Sequence, residues 1–305
     1  MNIVHLVSST MPISGGDGSG ASFAGPGSTC VDNSTGIVYV NENTAALPVW
    51  TPITFDQPNL MGYRWGATGV TPKAASNTAA TLTAAPGIRV FGEGITETDS
   101  GVTLGTTVEG SHVAGLITTD EAAHNACIGY QDATVAWQPD THGGMVIDAI
   151  ISMESAITLR QMFIGFLGTA ADALATPATG STTTITLVQD DMVGMMMDVG
   201  LTDSDGIFAC HNKSNAAANQ ATTDTGIDLS TTLAAAATYQ RFRVEVSADG
   251  DTRFLIDNAL VGSRIAIALD VDEEVTPVFL LGSTSAATKQ VNIKQIMMWT
   301  SRGTL

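Results

Sequence analysis

The sequence predicts an all-β fold in which a large β-sandwich follows an N-terminal extension. Bulky apolar residues come in short runs separated by clusters of Thr, Ser, Gly and Asp, a pattern typical of strands joined by turns. These runs are regularly spaced from about residue 88 to the end, without the alternation of strands and long helices that marks an α/β protein. No sustained internal repeat is visible, which disfavours propellers and solenoids.

The composition restricts the partners that the chain can have. Thirty acidic residues against 12 basic ones give a formal net charge of −18 over 305 residues. Such a chain repels other polyanions, and its Lys and Arg residues are not clustered, so we expect no nucleic-acid partner. We expect no secretory signal, because the N-terminus has no basic region before its apolar residues and no long apolar run. We also expect no membrane span, because the most apolar later stretch, 157–175, is interrupted by Arg160 and Asp172.

The cysteines indicate a reducing environment. Cys30, Cys127 and Cys210 are far apart, and an odd number cannot form a complete set of intramolecular disulfides. We therefore expect assembly in a reducing compartment.

Residues 1–60 are expected to form an N-terminal extended arm with a short β-hairpin. Residues 29–32 and 37–41 have strand character, and the turn between them contains Gly36, which can adopt a positive φ. Because an isolated hairpin is only marginally stable, we expect it to lie against another domain or subunit. The Gly-rich segment 15–20 lacks the Lys of a phosphate-binding loop and is interpreted as a flexible joint.

A linker and the sandwich follow the arm. Residues 61–87 are rich in Gly, Ala, Thr and Pro, and we expect a linker or an extended arm there. Residues 88–305 are expected to form the sandwich. The predicted strands are 102–108, 112–118, 125–130, 134–137, 145–153, 158–167, 185–188, 193–199, 207–211, 240–247, 253–257, 276–281 and 291–300. Only two segments are candidates for short helices, 231–238 and 170–174.

The clearest strand pair is 240–257. Residues 240–247 alternate polar and apolar side chains, which predicts a strand with one solvent-facing and one buried face. Pairing Val246 with Phe254, and Val244 with Ile256, keeps the apolar side chains on one face. We therefore predict an odd-length loop or a bulged turn here, despite the Asp-Gly dipeptide that favours a two-residue loop.

The sequence contains no recognisable catalytic signature, so no catalytic residue, cofactor or metal is predicted. Glu121, His124 and Cys127 would share one face of a helix and could hold a metal there, but the preferred interpretation is a loop leading into a buried strand. Two further groups are interpreted as structural: the scattered histidines His112, His142 and His211, and the acidic pairs at 190–191, 203 and 205, and 270–274. The turn at 203–206 is the best Ca²⁺ candidate, but it lacks the other ligand positions of an EF-hand loop.

Two further sets of side chains have more than one interpretation. The methionines at 192 and 195–197 fit either an adaptable binding surface or a core, and a core is preferred. The tryptophans could stack on sugars or anchor subunit contacts. They are Trp50, Trp65, Trp137 and Trp299.

Two segments carry a resemblance to phage structural proteins. From Val193 onward the chain is similar to the closing strands of concanavalin-A-like jelly rolls in marine bacteriophage structural proteins, with the Asp-x-x-Leu-Val-Gly step at Asp257–Gly262 and Trp299 in the last strand. Residues 24–53 resemble the N-terminal β-motif of phage capsid-decoration and head-fibre proteins. The matching positions are 25–28, Asp32, Gly36, 39–41 and 48–51, whereas Glu42 and Leu47 stand where such proteins often have Gly and Lys.

The resemblance implies a concanavalin-A-like jelly-roll β-sandwich that serves as a non-enzymatic virion protein, assembled in the host cytoplasm. The implied role is a decoration or cement protein whose N-terminal arm binds the major capsid protein or another shell protein, with Phe23, Tyr39 and Trp50 as interface candidates. We expect a homotrimer. The alternative is a receptor-recognition protein of a tail or fibre that binds host glycan through aromatic and acidic side chains in one concave site.

Overall fold

The computed structural model describes residues 3–53, 60–66, 82–85, 88–91, 101–108, 111–118, 125–130, 137–153, 160–168, 177–213, 228–232, 238–283 and 289–301. Nearly all of the regular structure in these ranges is strand. The strands of the first third are β1 His5–Ser8, β2 Thr29–Asp32, β3 Val38–Asn41, β4 Trp50–Pro52, β5 Leu60–Gly66, β6 Leu82–Ala85 and β7 Ile88–Phe91. Three strands and one helical turn follow, which are β8 Gly101–Val108, β9 Ser111–Thr118, β10 Asn125–Tyr130 and α1 Pro139–His142.

The remaining twelve strands alternate with turns. They are β11 Met145–Met153, β12 Arg160–Leu167, β13 Ala178–Ser181, β14 Thr184–Leu187, β15 Met192–Asp198, β16 Gly206–Asn212, β17 Asp228–Thr232, β18 Gln240–Val246, β19 Thr252–Ile256, β20 Ala259–Ile265, β21 Thr276–Ser283 and β22 Lys289–Ser301. The ends of the predicted strands that lie within the described residues mostly fall within two residues of these bounds. The sequence predicts none of β1, β4, β5, β6, β7, β13, β17 and β20.

The strands form an all-β sandwich of two large sheets. The back sheet has the order β17-β16-β15-β12-β21-β10-β7-β6, and the front sheet has the order β20-β19-β18-β11-β22-β9-β8, with β5 also paired to β22. Consecutive strands change sheet eight times, at β5–β6, β7–β8, β9–β10, β10–β11, β11–β12, β17–β18, β20–β21 and β21–β22. This exchange ties the two sheets into one sandwich.

One large apolar cluster fills the sandwich. From the front sheet, Phe242, Val244 and Val246 of β18 point into it, and from the back sheet Ile164 and Phe166 of β12 belong to the same cluster. Because paired strands place alternate residues on one face, the other side chains of β18 point to the opposite side of the front sheet.

The β18–β19 hairpin confirms part of the prediction. Val244 pairs with Phe254, so the apolar residues share one face, and five residues, 247–251, separate the two strands. The loop is odd in length, as expected. The predicted pairing of Val246 with Phe254 is wrong by two residues, because Val246 pairs with Thr252. The amide of Ser247 donates to the carbonyl of Asp251 at 2.9 Å, which closes the loop without a two-residue turn.

Residues 3–53 form a folded unit instead of an extended arm. The strands β1 to β4 make a four-stranded sheet in the order β1-β2-β3-β4, which we call the N-terminal sheet. The predicted hairpin is confirmed as β2 and β3, with Gly36 at φ 74° in the turn. The additional strands β1 and β4 supply the pairing that an isolated hairpin lacks.

Two other expectations differ from the structure. The segment 61–87, expected to be a linker, contains β6 and most of β5, and β5 pairs with β22 over seven residues. Its residues 67–81 lie outside the described ranges. Of the two helix candidates, 170–174 also lies outside these ranges, and 231–238 begins inside β17.

Candidate interaction site on the N-terminal sheet

The inward face of the N-terminal sheet packs against the outer face of the front sheet. Tyr39, Trp50 and Cys30 are buried there against Trp299 and Val146 of the sandwich. The indole nitrogen of Trp50 donates to the backbone carbonyl of Ser19 at 2.9 Å. A buried Trp with its N–H satisfied contributes a large apolar contact without an orphaned donor, so this cluster fixes the sheet on the sandwich.

Arg243 lies at the centre of a charged network beneath the N-terminal sheet. Its Nη2 is 2.6 Å from Glu245 Oε1, and its Nη1 is 3.5 Å from Asp148 Oδ2. Its guanidinium carbon lies 4.9 Å from the centroid of the Trp299 ring, within the range of a cation–π contact. Arg243 and Glu245 were expected on a solvent-facing side of β18. That prediction is wrong, because the N-terminal sheet covers this face and leaves them 2% and 5% exposed.

The same network reaches across to the N-terminal unit. Arg243 donates to the backbone carbonyl of Trp50 and, at 3.2 Å, to the hydroxyl of Thr51. In the other direction, the backbone amide of Ser14 donates to Glu245 Oε2 at 3.2 Å. Arg243 and Glu245 therefore each have a polar partner in the N-terminal unit, and such charge-assisted hydrogen bonds constrain geometry more than apolar contact does.

Two further arginines link the units at the edges of the network. Arg241 donates from Nε and Nη2 to the carboxylate of Asp148, and its Nη1 is 2.8 Å from Glu42 Oε2. Burial alone would lower the pKa of Arg241, but the hydrogen bonds to Asp148 and Glu42 outweigh it and raise that pKa. Arg253 Nη2 lies 3.1 Å from Asp17 Oδ2 and holds the pKa of Asp17 below its ordinary value.

The outward face of the N-terminal sheet carries a row of aliphatic side chains. Val7 pairs with Val31, and Val31 with Val38. The amide of Ile53 donates to the carbonyl of Val38 at 2.9 Å, which places Ile53 beside Val38. Directly paired residues share a face, so these four β-branched side chains form one row across the sheet, which we call the outward row. At its ends Val7 is 71% exposed and Ile53 54% exposed.

The unit that carries this row is nearly free of unpaired charge. Residues 1–53 contain no Lys or Arg and three acidic residues. Asp17 and Glu42 pair with sandwich arginines, and Asp32 is buried and accepts hydrogen bonds from the amide and hydroxyl of Ser34. All but three of the thirty acidic residues therefore lie in the rest of the chain.

The three residues predicted to contact a partner occupy different positions. Tyr39 and Trp50 are buried, at 0% and 1% exposure, inside the contact between the N-terminal sheet and the sandwich. Phe23 is half exposed, and it is the one of the three that lies at the surface. Desolvation, followed by the neighbouring carboxylate of Asp32, raises the pKa of Tyr39. Burial likewise raises the pKa of Cys30 to about 11.

The glycine-rich segment 15–20 is not a flexible joint. The amide of Gly15 donates to the carbonyl of Pro48 at 2.9 Å, and the amide of Gly18 donates to the carbonyl of Gly15. A Cβ on Gly18 would lie 2.2 Å from the carbonyl oxygen of Ile13. These glycines therefore permit a close approach of backbone segments in a packed turn.

The other sequence candidates do not converge on a second site in the described ranges. Glu121 and His124 lie outside them, and Cys127 belongs to β10. No group of three or more His, Cys, Asp or Glu side chains in the described part of the chain is arranged to hold a metal. His112 lies on β9 and His142 in α1, while burial of His211 on β16 lowers its pKa.

The acidic pairs lie in turns and at the surface. The amide of Gly206 donates to the carbonyl of Asp203 at 3.2 Å, which closes the turn considered for Ca²⁺. Glu273 has a raised pKa, primarily because the Asp191 carboxylate is near. The core interpretation of the methionine cluster is confirmed, since Met192 and 195–197 are buried. Three tryptophans, Trp50, Trp137 and Trp299, are also buried, and Trp65 lies on β5.

The outward row was missed in the sequence. Val31 and Val38 alternate with buried residues in a way that predicts strands, but the pattern alone does not show which face another part of the chain will cover. The strand β1 was not predicted, so Val7 had no position in a sheet. The available signal was the short apolar and β-branched run Ile3–Val7, which only His5 interrupts.

None of the helical segments in the described ranges is long and apolar enough to cross a bilayer.

Fold and site together define an all-β jelly-roll sandwich protein with a small sheet fixed on one face and an exposed apolar row on that sheet. No known protein family matches the chain, and no curated protein matches it either. Among solved structures, a carbohydrate esterase from the Shiga toxin-encoding bacteriophage phi24B is 12% identical, with 70% of this chain and 90% of that chain covered and a TM-score of 0.41.

Two further similar structures are a carbohydrate recognition domain and a glycoside hydrolase. The metal-free carbohydrate recognition domain of Emp46p is 9% identical, with 67% of this chain and 89% of that chain covered and a TM-score of 0.43. A glycoside hydrolase family 16 endo-glucanase from Bacteroides ovatus is 10% identical, with 77% and 99% covered and a TM-score of 0.46. At these identities and TM-scores the matches do not indicate what this chain binds or whether it catalyses a reaction.

Proposed function

We propose that this chain is a non-enzymatic structural protein of a bacteriophage particle that attaches to the outer surface of the shell through its N-terminal sheet. The observation that carries the proposal is the outward row, four aliphatic side chains of which Val7 and Ile53 are exposed, on a sheet whose other face is already packed. The phage context comes from the resemblance of residues 24–53 and of the closing strands to phage structural proteins.

Burial of the outward row supports attachment in energetic terms. Val7 and Ile53 expose most of their apolar surface. Burial of that surface in a contact stabilises the complex by roughly 25 cal/mol for each Å² removed from water. The row has no unpaired charge beside it, and the centres of protein interfaces are depleted in charge in the same way. The acidic sandwich repels polyanions and stays in solvent.

The charged network gives this face a fixed orientation. Arg243 and Glu245 each bond to the N-terminal unit as well as to one another. A surface that is already rigid loses less conformational entropy when it binds, so more of the contact energy appears as affinity. The network therefore serves attachment without touching the partner.

The test is binding of the purified chain to shells prepared without it. Co-sedimentation with the shells is compared for the unmodified chain, for the double variant Val7→Asp/Ile53→Asp, and for Val188→Asp as a control. Val188 is 53% exposed, nearly the same fraction as the 54% of Ile53, but it lies outside the N-terminal sheet. The proposal predicts that the double variant loses binding and that the control keeps it.

Two outcomes would contradict the proposal. Equal binding by the double variant and the unmodified chain would show that the outward row does not contact the shell. Failure of the unmodified chain to bind shells, together with binding to host polysaccharide, would favour the glycan-recognition alternative. In that case the sugar contacts would come from side chains other than the buried Trp50, Trp137 and Trp299.

A further inference from the structure

The strand β1 forms one edge of the N-terminal sheet. It pairs in parallel with β2, from His5 beside Thr29 to Ser8 beside Asp32. Among the strands that the structure describes, none pairs with the other side of β1. Its second edge therefore offers backbone donors and acceptors to a further strand.

The hydrogen bonds of β1 show which residues face that edge. The amide of Thr29 donates to the carbonyl of Val4 at 3.0 Å, and the amide of Asn33 donates to the carbonyl of Ser8 at 2.7 Å. In a strand, the N–H and C=O of one residue point to the same side and those of the next residue to the other. The backbone groups of His5 and Val7 therefore point away from β2.

Within the described residues, this edge lacks the features that usually prevent strand addition. Natural edge strands carry Lys, Pro, a bulge or a covering segment. Residues 3–8 contain no Lys, Arg, Asp, Glu or Pro, and Ile3 and Val7 are 60% and 71% exposed. Apolar and β-branched residues favour the extended conformation that a new neighbour needs.

We infer that β1 pairs antiparallel with β1 of a second copy of this chain about a two-fold axis. In the register that the geometry favours, His5 lies opposite Val7 of the second copy, and Val7 opposite its His5. Each of these two pairs exchanges two backbone hydrogen bonds, so about four hydrogen bonds join the two copies. The four-stranded sheet becomes one continuous sheet across two copies, and a dimer replaces the trimer expected from the sequence.

Charge explains why the copies meet here. At a net charge of −18 two copies repel one another, but residues 1–53 hold three acidic residues, of which two pair with arginines of the sandwich. Close approach of two N-terminal sheets therefore avoids most of the like-charge repulsion that contact between sandwiches would cause. The inference goes beyond the proposed function, since it uses the edge of the sheet and not shell attachment.

The first test is sedimentation equilibrium of the full chain over a range of concentrations. The unmodified chain is expected to associate reversibly into dimers. Val7→Pro removes one outward N–H without removing a hydrogen bond to β2, and it is expected to weaken association by at least about tenfold. Val7→Thr keeps the N–H and the branched Cβ, and it is expected to change association by less than about threefold. The Ile53→Asp variant should dimerise as the unmodified chain does. This result would show that the dimer contact is distinct from the shell contact.

Cross-linking tests the register even where Val7→Pro perturbs the fold. Cα atoms of a directly opposed antiparallel pair lie about 5.5 Å apart, within the reach of a disulfide. Oxidation of His5→Cys mixed with Val7→Cys should therefore yield more linked dimer than either variant alone, with the unmodified chain as the control for its own cysteines. Monomeric behaviour of the unmodified chain, equal association of the Pro and Thr variants, or equal cross-linking in the mixture and the single variants would each overturn the inference.

Discussion

The guanidinium of Arg243 lies over the ring of Trp299, with its central carbon 4.9 Å from the ring centroid. Both side chains are buried at the contact between the N-terminal sheet and the front sheet. Arg243 thus joins an aromatic ring of β22, two carboxylates of the front sheet and the backbone of β4. Its planar, always-charged head suits this combination of stacking and several hydrogen bonds, which a Lys could not reproduce.

Loss of Arg243 should loosen the N-terminal sheet. Arg243→Met leaves Glu245 buried without its arginine, and removal of one partner from a buried pair costs roughly 3–5 kcal/mol. Urea unfolding should show that loss. Arg264→Met is the control, because Arg264 pairs with Asp251 at the surface and should change stability by less than about 1 kcal/mol. Similar losses in both variants would contradict the role given to Arg243.

Trp50 and Phe23 should behave oppositely when truncated. Trp50→Ala empties a fully buried site and should destabilise the fold by about 3–5 kcal/mol. Phe23→Ala removes a half-exposed ring and should change stability by less than about 0.5 kcal/mol. Thermal unfolding of the two variants measures the difference. A small effect of Trp50→Ala would show that the N-terminal sheet is not packed on the sandwich.

Local sequence patterns predicted most of the strands from β8 onward, because the two-residue period of apolar side chains is visible in one segment at a time. The β2–β3 hairpin followed from its turn residues, and β11 from its apolar run. The cover over β18 could not be predicted in this way. Alternation of Arg and Glu with Phe and Val shows that a strand has two chemically different faces, but it does not show that residues more than 190 positions earlier will supply partners for the charged face.

The same limit applied to the candidate site. Large aromatic side chains often anchor interfaces, and for this reason the sequence favours Tyr39 and Trp50 as contact residues. The interface that they anchor is within the chain. Val7 and Ile53 are small by comparison, and their importance comes from cross-strand pairing, which depends on the register of four strands together.

The turn glycine Gly36 should be replaceable only at the expense of backbone strain. Its φ is 74°, and no atom lies within 4 Å of the position of an added Cβ, so the backbone conformation alone determines the effect. Gly36→Ala should cost roughly 1 kcal/mol, and Gly36→Asn less, since Asn tolerates the left-handed region. Chemical unfolding of both variants checks the order. A larger loss for Asn than for Ala would contradict the assigned turn.

His211 should make stability fall in mild acid. Burial lowers the pKa of its imidazole in the folded chain from an ordinary value of 6.5. Below that value the unfolded chain binds the proton more readily than the folded chain does, so stability decreases as pH falls. The melting temperature should therefore drop more between pH 7 and pH 5 for the unmodified chain than for His211→Gln. Identical drops would show that His211 titrates alike in both states.

An electron cryo-microscopy map of a particle that carries this chain would show which face of the protein meets the shell. Residues 3–53 should lie against the shell, with Val7 and Ile53 buried in the contact and the jelly-roll sandwich projecting into solvent. A map in which the sandwich touches the shell while the outward row faces solvent would contradict this prediction.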